Sequence, residues 1–190
     1  MPRAKLPIVV ALLMIGAVGC SKEPSTGSEL PPDDGKFAVL RGAGFHDDGS
    51  FDPRMTCDGA GDYSPPLVFR HVPAGAVELV LSMVDDDKPS ATGDPLIHWV
   101  EWKIPPNSAG LPEHTKPDEA REALSDLGEA TYNGPCPPAG QTHHYRFTLL
   151  ALSKPIDLPY GSPARKVLAA AKPSVIGSAT VVATYERTKA

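Results

Sequence analysis

The sequence predicts an all-β fold, a β-sandwich with a few peripheral helices. Short runs of apolar and β-branched residues recur along the chain, and each run is long enough for one strand. Clusters of proline and glycine separate these runs, and the chain holds 22 prolines and 17 glycines in 190 residues. Because both residues are typical of turns, the pattern favours a sandwich of short strands over alternating β/α units.

Five segments of the chain are predicted to form strands. They are residues 37–40, 77–84, 97–104, 145–152 and 178–185. The second segment is a nearly continuous apolar run, which is typical of a strand that is buried on both faces. The third segment combines tryptophan with β-branched residues, which are common in strands.

Two further segments are predicted to form helices at the periphery. Residues 118–127 carry an apolar stripe at helical spacing, and Gly128 ends the pattern. The stripe consists of Ala120, Ala123, Leu124 and Leu127. In the second helix we expect Ser162 to be the N-cap and Pro163 to be the first helical residue, and we expect the helix to end before Pro173.

The first 20 residues are predicted to be a signal peptide rather than part of the fold. Arg3 and Lys5 supply a positive start, and the apolar run over residues 6–15 is too short to span a bilayer. The run leads to Ala-Val-Gly-Cys at residues 17–20, which resembles the lipobox of bacterial lipoproteins, in which the cysteine is acylated. Cleavage of an ordinary signal peptide beside an incidental Cys20 is the alternative interpretation.

Residues 21–36 are predicted to be a flexible tether, and residues 37–190 are predicted to form one globular domain. The tether is rich in small, polar and charged residues, which bury too little apolar surface to fold. Ser21 follows Cys20, so the chain lacks the aspartate that is associated with retention in the inner membrane. We therefore expect an exported protein, lipid-anchored at Cys20 in the bacterial cell envelope, on the outer membrane where the source has one.

The charge balance argues against one class of partner. The formal net charge is -5, and no long run of lysine and arginine is present. Because a protein that binds nucleic acid over a large surface needs clustered cations, we expect no nucleic-acid partner. No motif in the sequence indicates a bound cofactor.

Cys57 and Cys136 are the two cysteines of the predicted domain. In an exported protein such a pair can form a disulfide, provided that the fold brings their Cα atoms within reach. Two free buried thiols are the alternative, and the sequence alone leaves both open.

Polar residues that could bind a ligand or take part in catalysis are concentrated in four segments of the predicted domain. They are Asp-Asp-Asp-Lys-Pro at residues 85–89, His98, the proline-rich stretch 132–140 and His-His-Tyr at residues 143–145. Each has an ordinary structural explanation: a solvated acidic turn, a hydrogen-bonded core histidine, or a stiff surface connector. The strand period predicts that His98 shares a face with Val100 and Trp102, and that His143 and Tyr145 point into the same cavity.

Taken together, these segments form an ordered series of motifs. The series runs from Cys-Asp-Gly at 57–59 and Ser-Pro-Pro-Leu at 64–67, through Asp-x-Asp-x-Pro at 85–89 and His-Trp at 98–99, to Gly-Pro-Cys-Pro-Pro-x-Gly at 134–140 and His-x-Tyr at 143–145. It resembles the phosphatidylethanolamine-binding protein family, in its bacterial Raf-kinase-inhibitor-like branch, over roughly residues 40–187.

The resemblance implies a Greek-key β-sandwich with a small pocket that binds phosphate-like anions, including phospholipid head groups. The pocket lining that it implies here is Asp85, Asp87, His98, Pro137, Pro138, His143 and Tyr145. Several positions depart from the family pattern. Phe69 stands where tryptophan is usual, Asp86 where proline is common, Lys88 where alanine is common and His144 where arginine is usual.

We expect a non-catalytic binding protein that takes such an anion or head group and modulates a protein partner in the cell envelope. Since histidines donate better when protonated and the aspartates repel a phosphate dianion, we expect weak anion binding that strengthens with protonation. A metal-assisted hydrolase of phosphorylated compounds is the alternative, because Asp85, Asp87, His98 and His143 offer oxygen and nitrogen ligands. A lipoprotein that acts only through its surface is a third interpretation.

Overall fold

The computed structural model describes residues 1, 34–59 and 63–188. Apart from Met1, the predicted signal peptide with its lipid-attachment site Cys20 lies outside these ranges, as does the predicted tether up to residue 33. None of the helices within the described ranges is long and apolar enough to cross a membrane.

Two antiparallel sheets form the body of the described domain. Its strands are β1 (Ala38–Arg41), β2 (Leu67–Arg70), β3 (Glu78–Pro89), β4 (Pro95–Ile104), β5 (Gly110–Leu111), β6 (Arg121–Glu122), β7 (Thr142–Leu152) and β8 (Val175–Glu186). The smaller sheet has the order β1-β2-β5, and the larger sheet has the order β6-β4-β3-β7-β8. The predicted all-β sandwich is confirmed, and all five predicted strands are present in the structure.

β3 lies at the centre of the larger sheet and is buried on both faces, which explains its apolar run. The first eight residues of β3 are all buried. On the inner face, Leu81 belongs to a core cluster with Val39 of the smaller sheet. On the outer face, Val80 belongs to a second cluster with Val167 of the helix α1 (Ala164–Ala171). A strand between two apolar layers has no solvent face, so its sequence does not alternate.

The prediction of a helix over residues 118–127 is wrong. The segment contains β6 and a turn, and the Ala123 amide donates to the Val100 carbonyl of β4 at 3.0 Å. Leu124 and Leu127, which were expected on the buried stripe, are 38% and 43% exposed. The edge of β4 offers backbone hydrogen bonds to this segment, and that pairing outweighs a local preference for helix.

The second predicted helix is present as α1 and ends before Pro173, as expected. Its start differs from the prediction, because Pro163 itself is the cap residue and makes no side-chain hydrogen bond there. The Ser162 hydroxyl donates instead to the Pro159 carbonyl at 2.8 Å. This bond closes the turn before the helix rather than capping the helix.

Candidate functional site

The three consecutive aspartates at the end of β3 have three different basic partners. Asp85 points into the domain and accepts a hydrogen bond from His143 Nδ1 at 2.8 Å. Asp86 pairs with Arg146 through two hydrogen bonds, of 2.6 and 3.0 Å. Strand alternation separates these two carboxylates, so their mutual repulsion is small and each has a local counter-charge.

Asp87, the third of these aspartates, is held by the next histidine along β7. Its Oδ2 accepts from the backbone amide of His144 at 2.6 Å and lies 2.9 Å from His144 Nδ1. These two hydrogen bonds lower the pKa of Asp87. Asp86 and His144, two of the departures from the family pattern, are therefore engaged with other residues of the chain.

A β-bulge in β4 decides where His98 points. The adjacent β3 residues Met83 and Val84 lie opposite Trp99 and Ile97, so His98 is an extra residue on its strand. A bulge of this kind breaks the side-chain alternation and redirects the extra residue.

Because of the bulge, the prediction that His98 shares a face with Val100 and Trp102 is wrong. Those two residues pack in the outer core cluster. The His98 ring lies edge-on to Tyr145, with ring centroids 5.3 Å apart, and its Nε2 lies 3.8 Å from Asp85 Oδ2. Two strands and one bulge thus bring together the Asp85 cluster, which consists of Asp85, His98, His143 and Tyr145.

Hydrogen bonding defines the protonation pattern of the two buried imidazoles. His98 Nδ1 lies 3.0 Å from the carbonyl oxygen of Asn133, and His143 Nδ1 lies 2.8 Å from the Asp85 carboxylate. Both partners only accept, so each Nδ1 carries a proton. In the neutral rings Nε2 is therefore an acceptor, and protonation turns it into a donor.

Two polar atoms of the Asp85 cluster are buried without a hydrogen-bond partner among the described residues. His98 Nε2 and the Tyr145 hydroxyl make no hydrogen bond in the described part of the chain, although the two residues are 4% and 0% exposed. Burial and the nearby charge of Asp85 raise the pKa of Tyr145, so its hydroxyl keeps its proton. An unsatisfied buried polar group costs free energy, which a bound molecule can recover.

Asp85 carries the negative charge of the cluster. Burial alone would raise its pKa, but the imidazoles of His98 and His143 and the Asp87 amide outweigh this effect and lower the pKa of Asp85 to about 2. The Asp87 amide donates to Asp85 Oδ1 at 3.0 Å. At neutral pH the cluster therefore holds a carboxylate whose charge acts on anything that binds beside it.

Two adjoining cavities lie at the Asp85 cluster. Cavity A has a volume of about 190 Å³ and is lined by Cys57, Asp85, Lys88, His98, Leu127, Asn133, Gly134 and Cys136. Cavity B has a volume of about 400 Å³ and is lined by Asp87, Lys88, Pro89, Cys136, Pro137, Pro138, Gln141, His143 and Arg187. The seven residues that the family resemblance implied thus all belong to the cluster or line one of these cavities.

Lys88 and Cys136 line both cavities and so mark the boundary between them. Lys88 is the one departure from the family pattern in this segment that faces the pocket rather than a neighbouring strand. Arg187 adds a second cation to cavity B, and its Nε also lies 3.3 Å from Asp58 Oδ1. Nothing in the sequence pattern identified Arg187, because only the end of β8 brings it to the proline-rich loop.

A disulfide joins Cys57 to Cys136, with the Cα atoms 5.4 Å apart. The Cys57 amide also donates to the Pro135 carbonyl at 3.1 Å. At Gly134 a side chain is excluded, since a Cβ atom would lie 2.5 Å from the Met55 carbonyl oxygen. The disulfide and this close approach fix the proline-rich loop against the segment that precedes β2, and they form one wall of cavity A.

Comparisons with known proteins agree with this geometry. The family described as Phosphatidylethanolamine-binding protein matches residues 41–186. A UPF0098 protein of Methanothermobacter thermautotrophicus is 39% identical over 153 residues, which cover 78% of this chain and 98% of the relative. A Mycobacterium tuberculosis protein that is named as a lipoprotein, LppC, is 38% identical over 143 residues, or 75% of this chain and 69% of that relative.

Solved structures show the same architecture. The crystal structure of Escherichia coli YbcL, described as a new member of the mammalian PEBP family, aligns with a TM-score of 0.70 and 28% identity. The alignment covers 79% of this chain and 98% of YbcL. The Chlamydia trachomatis homologue CT736 aligns with a TM-score of 0.67 and 31% identity, over 73% of this chain and 90% of that chain.

Proposed function

Because the chain belongs to the phosphatidylethanolamine-binding protein family, we propose that it is a non-catalytic binding protein whose pocket takes phosphate-like anions or phospholipid head groups. One observation carries this proposal. His98 Nε2 and the Tyr145 hydroxyl are buried and have no hydrogen-bond partner among the described residues. His98 lines cavity A, and the Tyr145 ring packs edge-on against the His98 ring. A ligand with phosphate oxygens would satisfy both atoms, and the positive rim residues Lys88 and Arg187 favour an anion.

The charge of the Asp85 cluster sets the protonation state of the ligand. With neutral histidines the cluster offers one donor, the Tyr145 hydroxyl, next to an ionised carboxylate. A phosphate dianion is repelled there, whereas a monoanion can donate its own proton to an imidazole Nε2. Protonation of His98 and His143 supplies two charged donors, so we expect anion binding to strengthen as pH falls.

Calorimetric titration tests this expectation directly. Inorganic phosphate and phosphoethanolamine are titrated into the full chain at about pH 5 and about pH 8, the range over which histidine changes charge. We expect binding at least about tenfold tighter at the acidic pH for both probes. A greater affinity for phosphoethanolamine would identify the head group as the preferred ligand, and equal affinities would identify the phosphate alone. Equal binding at both pH values would contradict the proposal.

Tyr145→Phe separates a ligand-binding role from a structural one. The hydroxyl makes no hydrogen bond with the described chain, so its removal should leave the free energy of unfolding unchanged or higher. We expect phosphate affinity to fall about tenfold, because one donor is lost. Tyr160→Phe removes a hydroxyl from a residue that is 73% exposed and serves as the matched control. Unchanged phosphate affinity in Tyr145→Phe would count against the site.

We further propose that the chain is exported and anchored in the cell envelope by lipid at Cys20. The proposal rests on the lipobox-like residues 17–20 and on the similarity to the relative that is named as a lipoprotein. Labelling of cells with an alkyne-bearing fatty acid should mark the wild-type chain and not Cys20→Ser. Cys57→Ser is the matched control, and it should still be labelled.

The metal-assisted hydrolase lacks a specific observation in its favour. Among residues 34–59 and 63–188, no group of three or more His, Cys, Asp or Glu side chains is arranged to hold a metal ion. The geometry therefore supports the binding protein best.

A further inference from the structure

A third cavity lies away from the Asp85 cluster, where the edge of the larger sheet meets the loop before β6. Cavity C has a volume of about 220 Å³ and is lined by Ser64, Trp99, Glu101, His114, Thr115, Lys116, Glu122, Thr131 and Tyr132. None of these residues lines cavity A or cavity B. Glu101, which lines this cavity, lies outside the motifs of the sequence.

Glu101 is the unusual feature of cavity C. Its side chain is completely buried, and neither carboxylate oxygen has a hydrogen-bond partner in the described part of the chain. Glutamate is almost never fully buried unless it is paired, because an unpaired buried carboxylate is costly. A second carboxylate, Glu122, lies directly opposite Glu101 across the β4–β6 ladder. Burial and the neighbouring Glu122 together raise the pKa of Glu101 to about 8.

The remaining walls of cavity C suit a positively charged group. The rings of Trp99 and Tyr132 lie edge to face with centroids 5.4 Å apart, and aromatic rings attract cations. Trp99 Nε1 donates to Glu122 Oε1 at 3.2 Å, so the second carboxylate is held in place. His114 and Lys116 are exposed and bring basic groups to the rim. The cavity therefore combines an acidic floor with a basic rim.

We propose that cavity C binds a small zwitterionic amine, with its ammonium group against Glu101 and Glu122 and its acidic group toward Lys116. The ammonium supplies up to three donors to the two unpartnered oxygens of Glu101. The acidic group offsets the repulsion between the ammonium and the basic rim. Aminocarboxylates of the size of glycine have the required charges and fit the volume.

The protonation of Glu101 gives the proposal a pH signature. An ammonium group binds best to an ionised Glu101, so we expect affinity to rise between about pH 6 and about pH 8.5 as that carboxyl loses its proton. The other titratable groups that face the cavity are Glu122, His114, Lys116 and Tyr132. Because His114 is a titratable group at the rim of the cavity, a His114→Gln variant is used to isolate the effect of Glu101.

The two tryptophans of the chain allow a direct test. Glycine is titrated to about 10 mM into the ¹⁵N-labelled full chain, and the two indole signals are followed by NMR. The Trp99 indole lines cavity C, whereas Trp102 packs in the outer core cluster. We expect the Trp99 signal to shift saturably and the Trp102 signal to stay in place. Absence of a saturable shift at Trp99, or an equal shift at Trp102, would overturn the proposal.

Two variants assign the roles of the charges. Glu101→Gln keeps the shape of the side chain and should raise the dissociation constant for glycine about tenfold or more. Glu119→Gln removes the same charge from an exposed position outside the cavity and should leave the dissociation constant for glycine unchanged. Lys116→Gln should weaken the binding of glycine but not that of methylammonium, which has no acidic group. Unchanged glycine binding in Glu101→Gln, or an equal loss of both ligands in Lys116→Gln, would contradict the assigned orientation.

Discussion

Replacement of Glu101 by glutamine should make the protein more stable at alkaline pH, although it removes a charge from the core. The wild-type carboxyl has an ordinary pKa of 4.5, and the folded structure raises it to about 8. Between these two values the folded chain holds a proton that the unfolded chain has lost. Glu101 therefore favours folding fully below about pH 4.5, and this contribution is lost as pH rises through about 8.

The magnitude follows from the size of the shift. A pKa difference of one unit corresponds to about 1.4 kcal/mol, so the shift of Glu101 is equivalent to about 5 kcal/mol as an upper bound. Partial entry of water and relaxation of Glu122 reduce this value, and we expect about 2 to 5 kcal/mol. Glutamine stays neutral at every pH, so the variant should keep the stability that wild type has only when Glu101 is protonated.

Urea denaturation followed by tryptophan fluorescence measures this effect. The free energy of unfolding is determined at about pH 5, 6, 7 and 8 for wild type, Glu101→Gln and the exposed control Glu119→Gln, without reductant. Titration of the histidines is common to all three chains and cancels in the differences. We expect wild type and Glu119→Gln to lose stability in parallel as pH rises, and Glu101→Gln to diverge upward. A parallel decline in Glu101→Gln would refute the reasoning.

Three further predictions concern the candidate pocket and its wall. Because the pKa of Asp85 is lowered from 3.8 to about 2, the ionised carboxylate contributes about 2 kcal/mol to the free energy of unfolding above pH 3.8, and this contribution is lost toward pH 2. In an acid titration followed by circular dichroism, Asp85→Asn should not show this loss. Reduction of the Cys57–Cys136 disulfide, which spans 79 residues, should lower the free energy of unfolding by about 4 kcal/mol in urea, and no change would mean that the bond does not form. Gly134→Ala should lower the free energy of unfolding by about 1 to 3 kcal/mol in the same assay, because the new methyl group would clash with the Met55 carbonyl. Gly140→Ala is not a suitable control, since the φ of 73° at Gly140 is itself unfavourable for alanine.

The strands that could be predicted from the sequence are those whose burial leaves an apolar run. β3, β4 and β7 belong to this class, since they form the centre of the larger sheet and carry a long side-chain pattern, whereas β8 lies at its edge. β5 and β6 have only two residues each, and they exist because a neighbouring strand edge is available. The wrong helix over residues 118–127 has the same origin, because its partner β4 is distant in sequence and no local pattern reveals the pairing.

The candidate pocket could be predicted in its composition but not in its geometry. Motifs brought Asp85, His98, His143 and Tyr145 to attention, and alternation along β7 correctly placed His143 and Tyr145 on one buried side. The bulge at His98 leaves no signature in the residue types, so the orientation of that ring could not be predicted. The sequence marks Lys88 only as a departure from the family pattern, because its position between two cavities depends on the path of the chain at the end of the strand.

The bulge at His98 also connects the two proposed sites. In a regular strand, His98 and Glu101 are three residues apart and point to opposite faces of the sheet. The extra residue in β4 puts both on the inner side, where each has buried polar atoms that make no hydrogen bond within the described part of the chain, and each lines a different cavity. Trp99, which follows His98 in the strand, packs in the inner core cluster and lines cavity C. A ligand in cavity A and a ligand in cavity C would therefore act on residues only three positions apart in one strand. The NMR signal of the Trp99 indole would report whether phosphate binding at the first site changes the environment of the second.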